Sequence, residues 1–413
     1  MSKRRPNHPT DAVSLALSLA NRGETNAAFL LQQAEGRQRL KAKVPSWAEN
    51  ADLHFPPRLA LEQCSSEATA RYKASIAQRF LGSGQTMVDL TGGLGIDFSF
   101  IAPLFQRAIY VERQATLCDL ARHNFPVLHL EQAEIYEGDA ETYLQQMPSA
   151  DFVFIDPARR DNIGRKVFLI ADCTPSLPDL LPVLMQKAQT LLVKYSPMLD
   201  LTSALRTLLG VQELHVVEAA GECKEILFVI GHEAPTAPTS SDKSPEAPSV
   251  PTSSVINHEA PSSPTLFIKT DRTTISLPLG AEVQFPLRLA QELHPYLYEP
   301  GPAAMKAGIF RWLSAHFQAT QLAPNTHLYT SPAPLPNFPG RAFALKDTFT
   351  FSKADLRRLR TQTDRASITV RNFPSTPEVL RRRLHLKDGG PLTLFATTLA
   401  DGSHRLLLTE RLG

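Results

Sequence analysis

Acidic residues at the ends of apolar segments are the part of this sequence best suited to bind a ligand. In TMVDLTGGLGIDF, residues 86–98, an apolar segment ends in an acid and continues directly into a glycine turn and an amphipathic segment. Further apolar segments end at Glu112, Asp139 and Asp156. Because parallel strands bind ligands at their carboxyl ends, four acids at four strand ends predict a pocket for a nucleotide cofactor.

The glycine turn itself narrows the choice of cofactor. Gly92, Gly93 and Gly95 allow a ligand to approach the backbone where side chains would obstruct it. A dinucleotide fingerprint that begins at Gly93 needs glycine or alanine at position 98, and Phe98 stands there. The turn therefore argues against NAD.

S-adenosylmethionine matches the positions of these acids better than NAD does. It carries no phosphate, and its site needs one acid near the ammonium group and a second acid for the ribose hydroxyls. Asp89 and Glu112 match these two roles, since Glu112 lies about 20 residues after the turn, as a ribose-binding acid should. Asp139 is placed to accept a hydrogen bond from the adenine amino group. For each acid taken singly, a capping or solvated carboxylate is the alternative.

The motifs resemble those of a known enzyme class. DLTGGLG, YVE, EGDA and DPAR are similar to motifs I to IV of the class I S-adenosylmethionine-dependent methyltransferases, with Thr91 where many members have their first glycine. Similarity to the bacterial methyltransferase family that ends in a THUMP-like domain extends over about residues 40–411. It includes LEQCSSEATARYK, VKYSPMLD, YLYEPGPAAMKAG, NFPSTPEVLRRRLHLKDGG and LFATTL. More loosely, the position of CSSE resembles that of a Thr-Pro-Glu in cap guanine-N2 methyltransferases.

The resemblance implies where the methyl acceptor binds. In amino methyltransferases, an Asp or Asn side chain and the carbonyl of the next proline hold the amine, and Asp156 and Pro157 match that pair. Ala158 and Arg159 replace the usual second proline and aromatic residue. A guanidinium can stack on a base or bind a phosphate, so Arg159 is a candidate substitute. The alternative for Arg159 is an ion pair with a neighbouring acid.

Other residues are expected on the rim of the same pocket. Lys194 and Ser196 end the fifth strand, and Ser66 and Glu67 face the rim from the preceding helix, so we predict that all four contact the substrate. Carbon methylation of a pyrimidine usually needs a thiolate, for which Cys173 is the candidate. A buried small side chain is the alternative for Cys173.

The carboxyl-terminal segment is much more basic than the rest of the chain. Residues 341–413 hold 14 Lys and Arg against 7 Asp and Glu, whereas the net charge of the whole chain is +2. Such a cluster favours a polyanionic partner because binding releases phosphate counterions. THUMP domains bind RNA, so the resemblance implies RNA as the partner. The candidate contacts are Arg357, Arg358, Arg381 and Arg382, and a merely solubilising role is the alternative.

Short apolar segments that alternate with helical segments predict the fold. We expect an α/β protein with a Rossmann-like methyltransferase sheet, mostly parallel with an antiparallel last strand. An N-terminal helical extension precedes this sheet, and α+β modules follow it. The expected strands are 86–90, 107–112, 134–138, 151–156, 190–195, 211–218 and 224–230. The expected domains are the helical extension 1–64, the methyltransferase domain 65–231, a Pro/Ser/Thr-rich linker 232–264, a ferredoxin-like module 265–340 and a basic THUMP-like domain 341–413.

Composition excludes several other classes of protein. No apolar run approaches the roughly 20 residues needed to span a bilayer, and MSKRRPNHPT has no apolar core of the kind found in secretion signals. We therefore expect a cytoplasmic protein with no membrane partner. The 4 cysteines form no CxxC pair, which predicts reduced thiols and no metal.

The sequence as a whole predicts a methyltransferase that uses S-adenosylmethionine to methylate a base nitrogen of structured RNA, tRNA or rRNA. Two alternatives stay open. One is the same enzyme acting on a small molecule or a protein, and the other is a non-catalytic RNA-binding protein that retains the fold. The sequence leaves open the RNA, the methylated atom and the oligomeric state.

Overall fold

A computed structural model describes residues 27–159, 169–231 and 264–412. These residues form two compact units, of which the first contains 27–159, 169–213 and 226–231 and the second contains 214–225 and 264–412. Residues 1–26 of the predicted helical extension lie outside the described residues. The predicted linker, residues 232–264, also lies outside them except for its last residue. None of the helices in the described ranges has the length and apolar character needed to cross a membrane.

Helices precede the first strand, as predicted. They are α1 (Ala27–Leu40), α2 (Pro45–Glu49), α3 (Arg58–Gln63) and α4 (Glu67–Arg79). Apolar side chains of these helices, such as Leu40 and Trp47, form one buried cluster with Phe55, which lies between α2 and α3, and with Leu94 and Ile96. The helical extension therefore packs directly on the segment that follows the glycine turn.

The remaining elements of the chain up to residue 231 alternate between strands and helices. The strands are β1 (Thr86–Asp89), β2 (Arg107–Glu112), β3 (Ala133–Glu137), β4 (Ala150–Ile155), β5 (Ala158–Arg159), β6 (Cys173–Thr174), β7 (Ala188–Tyr195), β8 (Val211–Ala219) and β9 (Glu222–Gly231). The helices are α5 (Ile96–Ile101), α6 (Ala115–Val127), α7 (Ala140–Gln146), α8 (Leu177–Lys187) and α9 (Leu201–Thr207). The predicted strands thus all form, with bounds that differ by at most two residues.

The sheet of the first unit has the order β9–β7–β4–β1–β2–β3. Strands β1, β2, β3, β4 and β7 pair in parallel, and β9 pairs antiparallel with β7. This confirms a mostly parallel sheet with an antiparallel last strand. The chain builds β2 and β3 on one side of β1 and then returns to place β4 on the other side. In such sheets the ligand crevice lies at this reversal, beyond the carboxyl ends of the strands.

Apolar sequence explains the centre of this sheet. The residues of β4, ADFVFI, are buried throughout, as are most of those in β2 and β7. Strands covered on both faces by helices need near-continuous apolar sequence, which is the pattern observed here. The polar side chains of the region are therefore concentrated where the strands end.

The second unit contains a separate sheet. The strands after residue 264 are β10 (Thr265–Lys269), β11 (Thr274–Pro278), β12 (Tyr296–Pro300), β13 (Thr320–Gln321), β14 (Tyr329–Ser331), β15 (Gly340–Phe349), β16 (Ser367–Arg371), β17 (Leu392–Thr398) and β18 (His404–Arg411). The helices of this unit are α10 (Pro302–Ala307), α11 (Phe310–Phe317), α12 (Lys353–Gln362) and α13 (Pro377–Leu384). Seven of the strands form a sheet in the order β13–β14–β12–β15–β18–β17–β16, and β10 pairs antiparallel with β11.

Strands from the two predicted carboxyl-terminal modules pair with each other in this sheet. β12 and β15 are antiparallel neighbours, with Tyr296 opposite Ala344. The buried carboxylate of Glu299 in β12 pairs with Arg341 and with Arg371. The segments 265–340 and 341–413 therefore share one sheet and an ionic cluster, and their separate domain status stays a prediction.

Candidate active site

A cavity of about 480 Å³ opens at the carboxyl ends of β1, β2, β4 and β7. This volume lies in the range of small-molecule sites, roughly 300–1,000 Å³. Its walls include every predicted cofactor residue, namely Asp89, Thr91, Gly92, Gly93, Gly95, Glu112 and Asp139. Asp156 and Lys194 line the same cavity. The structure thus brings together acids that are far apart in sequence at the predicted edge of the sheet.

The glycine turn packs against an aromatic ring as well as facing the cavity. A side chain at Gly92 would lie 2.6 Å from Cζ of Tyr110 and closer still to two other atoms of that ring. The hydroxyl of Tyr110 donates a hydrogen bond to the carbonyl oxygen of Gly93, which has a φ of +56°. Position 92 therefore requires glycine for space, and position 93 favours glycine for its backbone conformation.

Glu112 is fixed to the turn by backbone amides. Its Oε2 accepts from the amide of Gly93 at 2.9 Å, and its Oε1 accepts from the amide of Gln114 at 2.8 Å. Both bonds hold the carboxylate against the cavity wall at the end of β2. This arrangement can present the acid to ribose hydroxyls.

Only one of the two carboxylate oxygens of Asp89 has a hydrogen-bond partner among the described residues. Its Oδ1 accepts from the amide of Thr91 at 2.9 Å, but its Oδ2 is buried and has no hydrogen-bond partner among the residues that the structure describes. The side chain is 1% exposed, and burial raises the pKa of its carboxyl well above the usual 3.8. The negative charges of Asp97, Asp156 and Glu112 raise this pKa further. A buried acceptor atom without a partner in a cavity wall is suited to a cationic ligand.

A buried lysine, which was not predicted from the sequence, lies behind this wall of the cavity. Lys73 in α4 is fully buried, and its Nζ lies 3.1 Å from Oδ1 of Asp97 and 3.2 Å from Oγ of Ser65. Ser65 in turn donates to Asp97 Oδ2 at 2.7 Å. The sequence does indicate that this lysine is buried, because helical spacing puts Lys73 on the same face as the buried residues Ala70 and Ala77.

Asp139 has two roles in the structure. It is the N-cap of α7, where its Oδ1 accepts from the amide of Thr142 at 2.7 Å. This bond holds the pKa of the Asp139 carboxyl below its usual range. The residue also lines the cavity, so the capping alternative and the predicted adenine contact are compatible.

Asp156 is held from two sides. Its amide donates to Oγ1 of Thr91 at 2.7 Å, and its Oδ2 forms an ion pair with Nζ of Lys194. Ala158 lines the cavity, whereas Pro157 is buried and does not line it. Arg159 belongs to β5, which pairs with β6, and its side chain lies outside the described part of the chain. The predicted stacking by Arg159 therefore stays a prediction.

Several predicted rim residues have other tasks. Ser66 is the N-cap of α4, and Glu67 accepts from the amide of Ser46 and pairs with Arg71. Neither Ser66 nor Glu67 lines the cavity. Ser196 does not line it either, and its Oγ accepts a hydrogen bond from the amide of Met198. Residues immediately before Ser66 line the cavity instead, namely Gln63, Cys64 and Ser65.

The two cysteines near the site differ in position. Cys173 is buried, its backbone pairs with Arg159, and it does not line the cavity. Cys64 lines the cavity, but burial raises the pKa of its thiol. A thiol with a raised pKa is a poor nucleophile because the thiolate is the reactive form. Within the described ranges, no group of three or more His, Cys, Asp or Glu residues could hold a metal ion.

The arginines predicted to contact RNA fall into two pairs. Arg358 forms ion pairs with Asp347 and Asp355, and Arg381 pairs with Asp388. Arg357 and Arg382 are exposed, and neither makes an ion pair within the portion of the chain that is described. Only the second pair therefore presents its full charge to a partner.

Comparison with known proteins gives matches across the chain. Two family models match the second unit, a THUMP domain-like model at residues 340–411 and a ferredoxin-like domain model at residues 296–339. Uncharacterised S-adenosylmethionine-dependent methyltransferases from two strains of Mycobacterium tuberculosis, CDC 1551 and H37Rv, are each 27% identical over 351 residues, covering 83% of this chain and 84% of theirs. The crystal structure of a proposed methyltransferase from Porphyromonas gingivalis W83 matches with a TM-score of 0.80 and 33% identity, covering 97% of this chain and 98% of that one.

Proposed function

Because the chain belongs to the bacterial family of class I S-adenosylmethionine-dependent methyltransferases that end in a THUMP-like domain, we propose that it methylates a base nitrogen of structured RNA, such as tRNA or rRNA, in the cytoplasm. The use of S-adenosylmethionine follows from the family. The methyl acceptor is what we propose in addition. The observation that supports a nitrogen acceptor is the position of Asp156, which lines the same cavity as the cofactor acids.

The residues of the cavity fit the methyl donor. The ammonium group of S-adenosylmethionine would give Asp89 Oδ2 the partner that this buried atom lacks among the described residues. We propose that Glu112 binds the ribose hydroxyls and that Asp139 accepts from the adenine amino group. When bound, the cofactor supplies a methyl group on a positively charged sulfur atom, which an acidic cavity stabilises.

Asp156 is the proposed acceptor-binding residue. Its carboxylate would accept an N–H of the acceptor amine and so direct the nitrogen lone pair towards the methyl group, which is positioning rather than base catalysis. Methylation at carbon through a thiolate is less well supported, because Cys173 does not line the cavity and burial raises the pKa of Cys64. The cysteines therefore favour a nitrogen acceptor.

The first test is methyl transfer to RNA. We expect the protein to transfer tritiated methyl groups from S-adenosylmethionine to RNA from a strain that lacks the gene. Since Asp156 positions the acceptor, Asp156→Ala should lower the rate by roughly 100-fold. The same variant should bind S-adenosylhomocysteine within a few-fold of the native affinity by calorimetry. Transfer to small molecules or proteins but to no RNA would refute the acceptor proposal and leave the donor site intact.

A second prediction concerns RNA docking by the basic segment. We propose that Arg357 and Arg382 contact RNA phosphates, since both are exposed. Replacing both with alanine should raise KM for RNA roughly tenfold, leave kcat unchanged and reduce the salt dependence of binding by about two charges. The matched control replaces Arg272 and Arg288, which are exposed and lie before the THUMP-like match. Equal effects in the two double variants would mean that charge alone, and not this surface, binds RNA.

A further inference from the structure

A buried carboxylate in the second unit holds arginines from two other strands. Glu299 in β12 pairs with Arg341 in β15 and with Arg371 in β16, and its own side chain is only 3% exposed. The two arginine side chains are 49% and 37% exposed, respectively. Two guanidinium groups and one carboxylate together leave a single positive charge, which lies partly at the surface.

Both guanidinium groups have further donors. A guanidinium group carries five N–H donors in a rigid, planar arrangement. Within the described part of the second unit, Arg341 donates to Glu299, and Arg371 donates to Glu299 and to the carbonyl oxygen of Val370. Each arginine therefore keeps donors for a ligand. Arginine uses such donors in pairs to bind two oxygens of a phosphate at once.

Two buried polar atoms near Arg371 have no hydrogen-bond partner among the described residues. One is Oγ1 of Thr397, which lies opposite Arg371 in the pairing of β16 with β17. The other is Nδ1 of His327. Burial and, to a smaller extent, the charge of Arg371 lower the pKa of His327, so these two side chains lie close enough to interact. Buried polar atoms without partners favour a ligand that forms hydrogen bonds at this position.

The two arginines lie on the face of the seven-stranded sheet that α12 and α13 do not cover. Successive side chains of a strand alternate between the two faces. Ile368 in β16 packs with buried residues of both helices, so Arg371, three positions later, belongs to the other face. Arg341 shares its face with Phe343, which packs with Phe395 in a separate apolar cluster. The arginines proposed above to contact RNA lie on the two helices, so the two sets contact different parts of a bound molecule.

We infer that Arg341 and Arg371 bind a phosphodiester group of the RNA on this face of the sheet. The inference rests on the proposed RNA function and adds a second docking site to it. A phosphodiester carries a single negative charge, which balances the charge of the cluster, whereas a phosphate monoester carries about −1.5 to −2 at neutral pH. Glu299 is a positioning residue, because it holds the two guanidinium groups side by side and lowers their combined charge.

RNA binding at several salt concentrations tests this site. The probe is radiolabelled tRNA and fragmented rRNA from a strain that lacks the gene, in a filter-binding assay. Arg341→Gln should weaken binding by roughly tenfold and reduce the slope of log affinity against log salt by about 0.7–0.9, the share of one phosphate. The variant should remain folded because Arg371 still pairs with Glu299. A slope that Arg341→Gln leaves unchanged would overturn the inference.

Arg371→Lys separates geometry from charge. Lysine preserves the charge that Glu299 requires, but it lacks the planar group of arginine. We expect native thermal stability, an unchanged salt slope and an affinity lower by roughly threefold to tenfold. Arg358→Gln is the matched control, because Arg358 is 46% exposed but pairs with two acids. This control should change neither the affinity nor the slope.

Chemical modification of the native protein gives a measurement that does not depend on the folding of a variant. Phenylglyoxal modifies accessible guanidinium groups, and mass spectrometry measures the extent at each arginine. Bound RNA should protect Arg341 and Arg371 and leave Arg358 reactive. Protection of Arg357 and Arg382 alone would overturn this inference and keep the proposed function, whereas no RNA binding at all would overturn both. Equal protection by inorganic phosphate at the same phosphate concentration would overturn the assignment to RNA and indicate a site for a small anion.

Discussion

Asp89→Asn is expected to unfold at a higher temperature than the native protein and to bind S-adenosylmethionine roughly 10- to 100-fold more weakly at neutral pH. Oδ2 of Asp89 is buried without a hydrogen-bond partner among the described residues, and burial raises the pKa of the carboxyl well above 3.8. An amide cannot ionise, so the substitution removes the cost of carrying a negative charge at this buried position in the unliganded protein. It also removes a charge-assisted contact to the ligand ammonium, which is typically stabilising by about 1.5–3 kcal/mol.

The raised pKa of the Asp89 carboxyl determines how protein stability and cofactor affinity depend on pH. Because the folded protein holds the Asp89 proton more tightly than the unfolded chain, the Asp89 contribution to stability falls as pH rises from 3.8 towards the raised pKa. Cofactor binding has the opposite dependence, since an ammonium favours the ionised form. Affinity should rise with pH by up to about tenfold per unit below the raised pKa, and binding should release a proton there.

Calorimetry in two buffers with different ionisation enthalpies, between about pH 5 and pH 9, measures this proton release. The neighbouring charges, on Asp97, Asp156 and Glu112 and on the paired Lys73 and Lys194, are unchanged in Asp89→Asn, so the proton release should disappear in that variant alone. Asp139→Ala is the matched control. It removes a capping acid whose pKa is lowered, and it should lower the unfolding free energy by about 1 kcal/mol. A native protein whose affinity is independent of pH would contradict the prediction.

Gly92→Ala is expected to lower the free energy of unfolding by about 3 kcal/mol or more and to abolish cofactor binding. The new Cβ would lie 2.6 Å or less from atoms of the Tyr110 ring. Tyr110 cannot move aside easily, because it is fully buried and its ring packs edge-on against Phe98 and Phe125 at 5.5 and 5.2 Å. The clash should therefore displace the turn, whose Gly93 amide donates to Glu112. Urea unfolding and calorimetric titration with S-adenosylmethionine measure the two effects.

Gly93→Ala is the matched control in the same turn. A Cβ at position 93 meets nothing closer than the Thr91 carbonyl oxygen at 3.8 Å, so its cost is only that of the left-handed backbone, about 1–2 kcal/mol. Replacing Tyr110 with leucine should make Gly92→Ala less harmful, with a coupling of about 1 kcal/mol or more. Strictly additive effects of the two substitutions would show that the ring is not what excludes a side chain at position 92.

The sequence predicted those parts of the fold that depend on local patterns. Strand β2 has the predicted bounds, and helices precede the first strand as predicted, because the burial of apolar runs operates over a few neighbouring residues. The acids at the strand ends could be placed in one cavity because parallel strands bring their carboxyl ends to one edge. The family and the donor followed from motifs spread over most of the chain.

The parts that were not predicted depend on contacts between distant segments. The ion pair of Asp156 with Lys194 joins two strand ends that are 38 residues apart. Pairing of β12 with β15, and of Arg358 with Asp347, likewise depends on how the second unit folds. Ser66 and Glu67 were placed on the rim by analogy, whereas the structure uses both at the start of α4 and presents Ser65 to the cavity.

The hydrogen bond from the Asp156 amide to Thr91 Oγ1 has a consequence for the evolution of this family. It links Thr91, two residues after β1, to Asp156, which directly follows β4, so a substitution at either position affects the other. A relative with glycine at position 91 has no hydroxyl to satisfy this amide and must supply another acceptor or a water molecule. A hydroxyl-bearing residue at that position is thus expected to covary with the DPAR loop, and the pair can sort relatives into subfamilies with different acceptors.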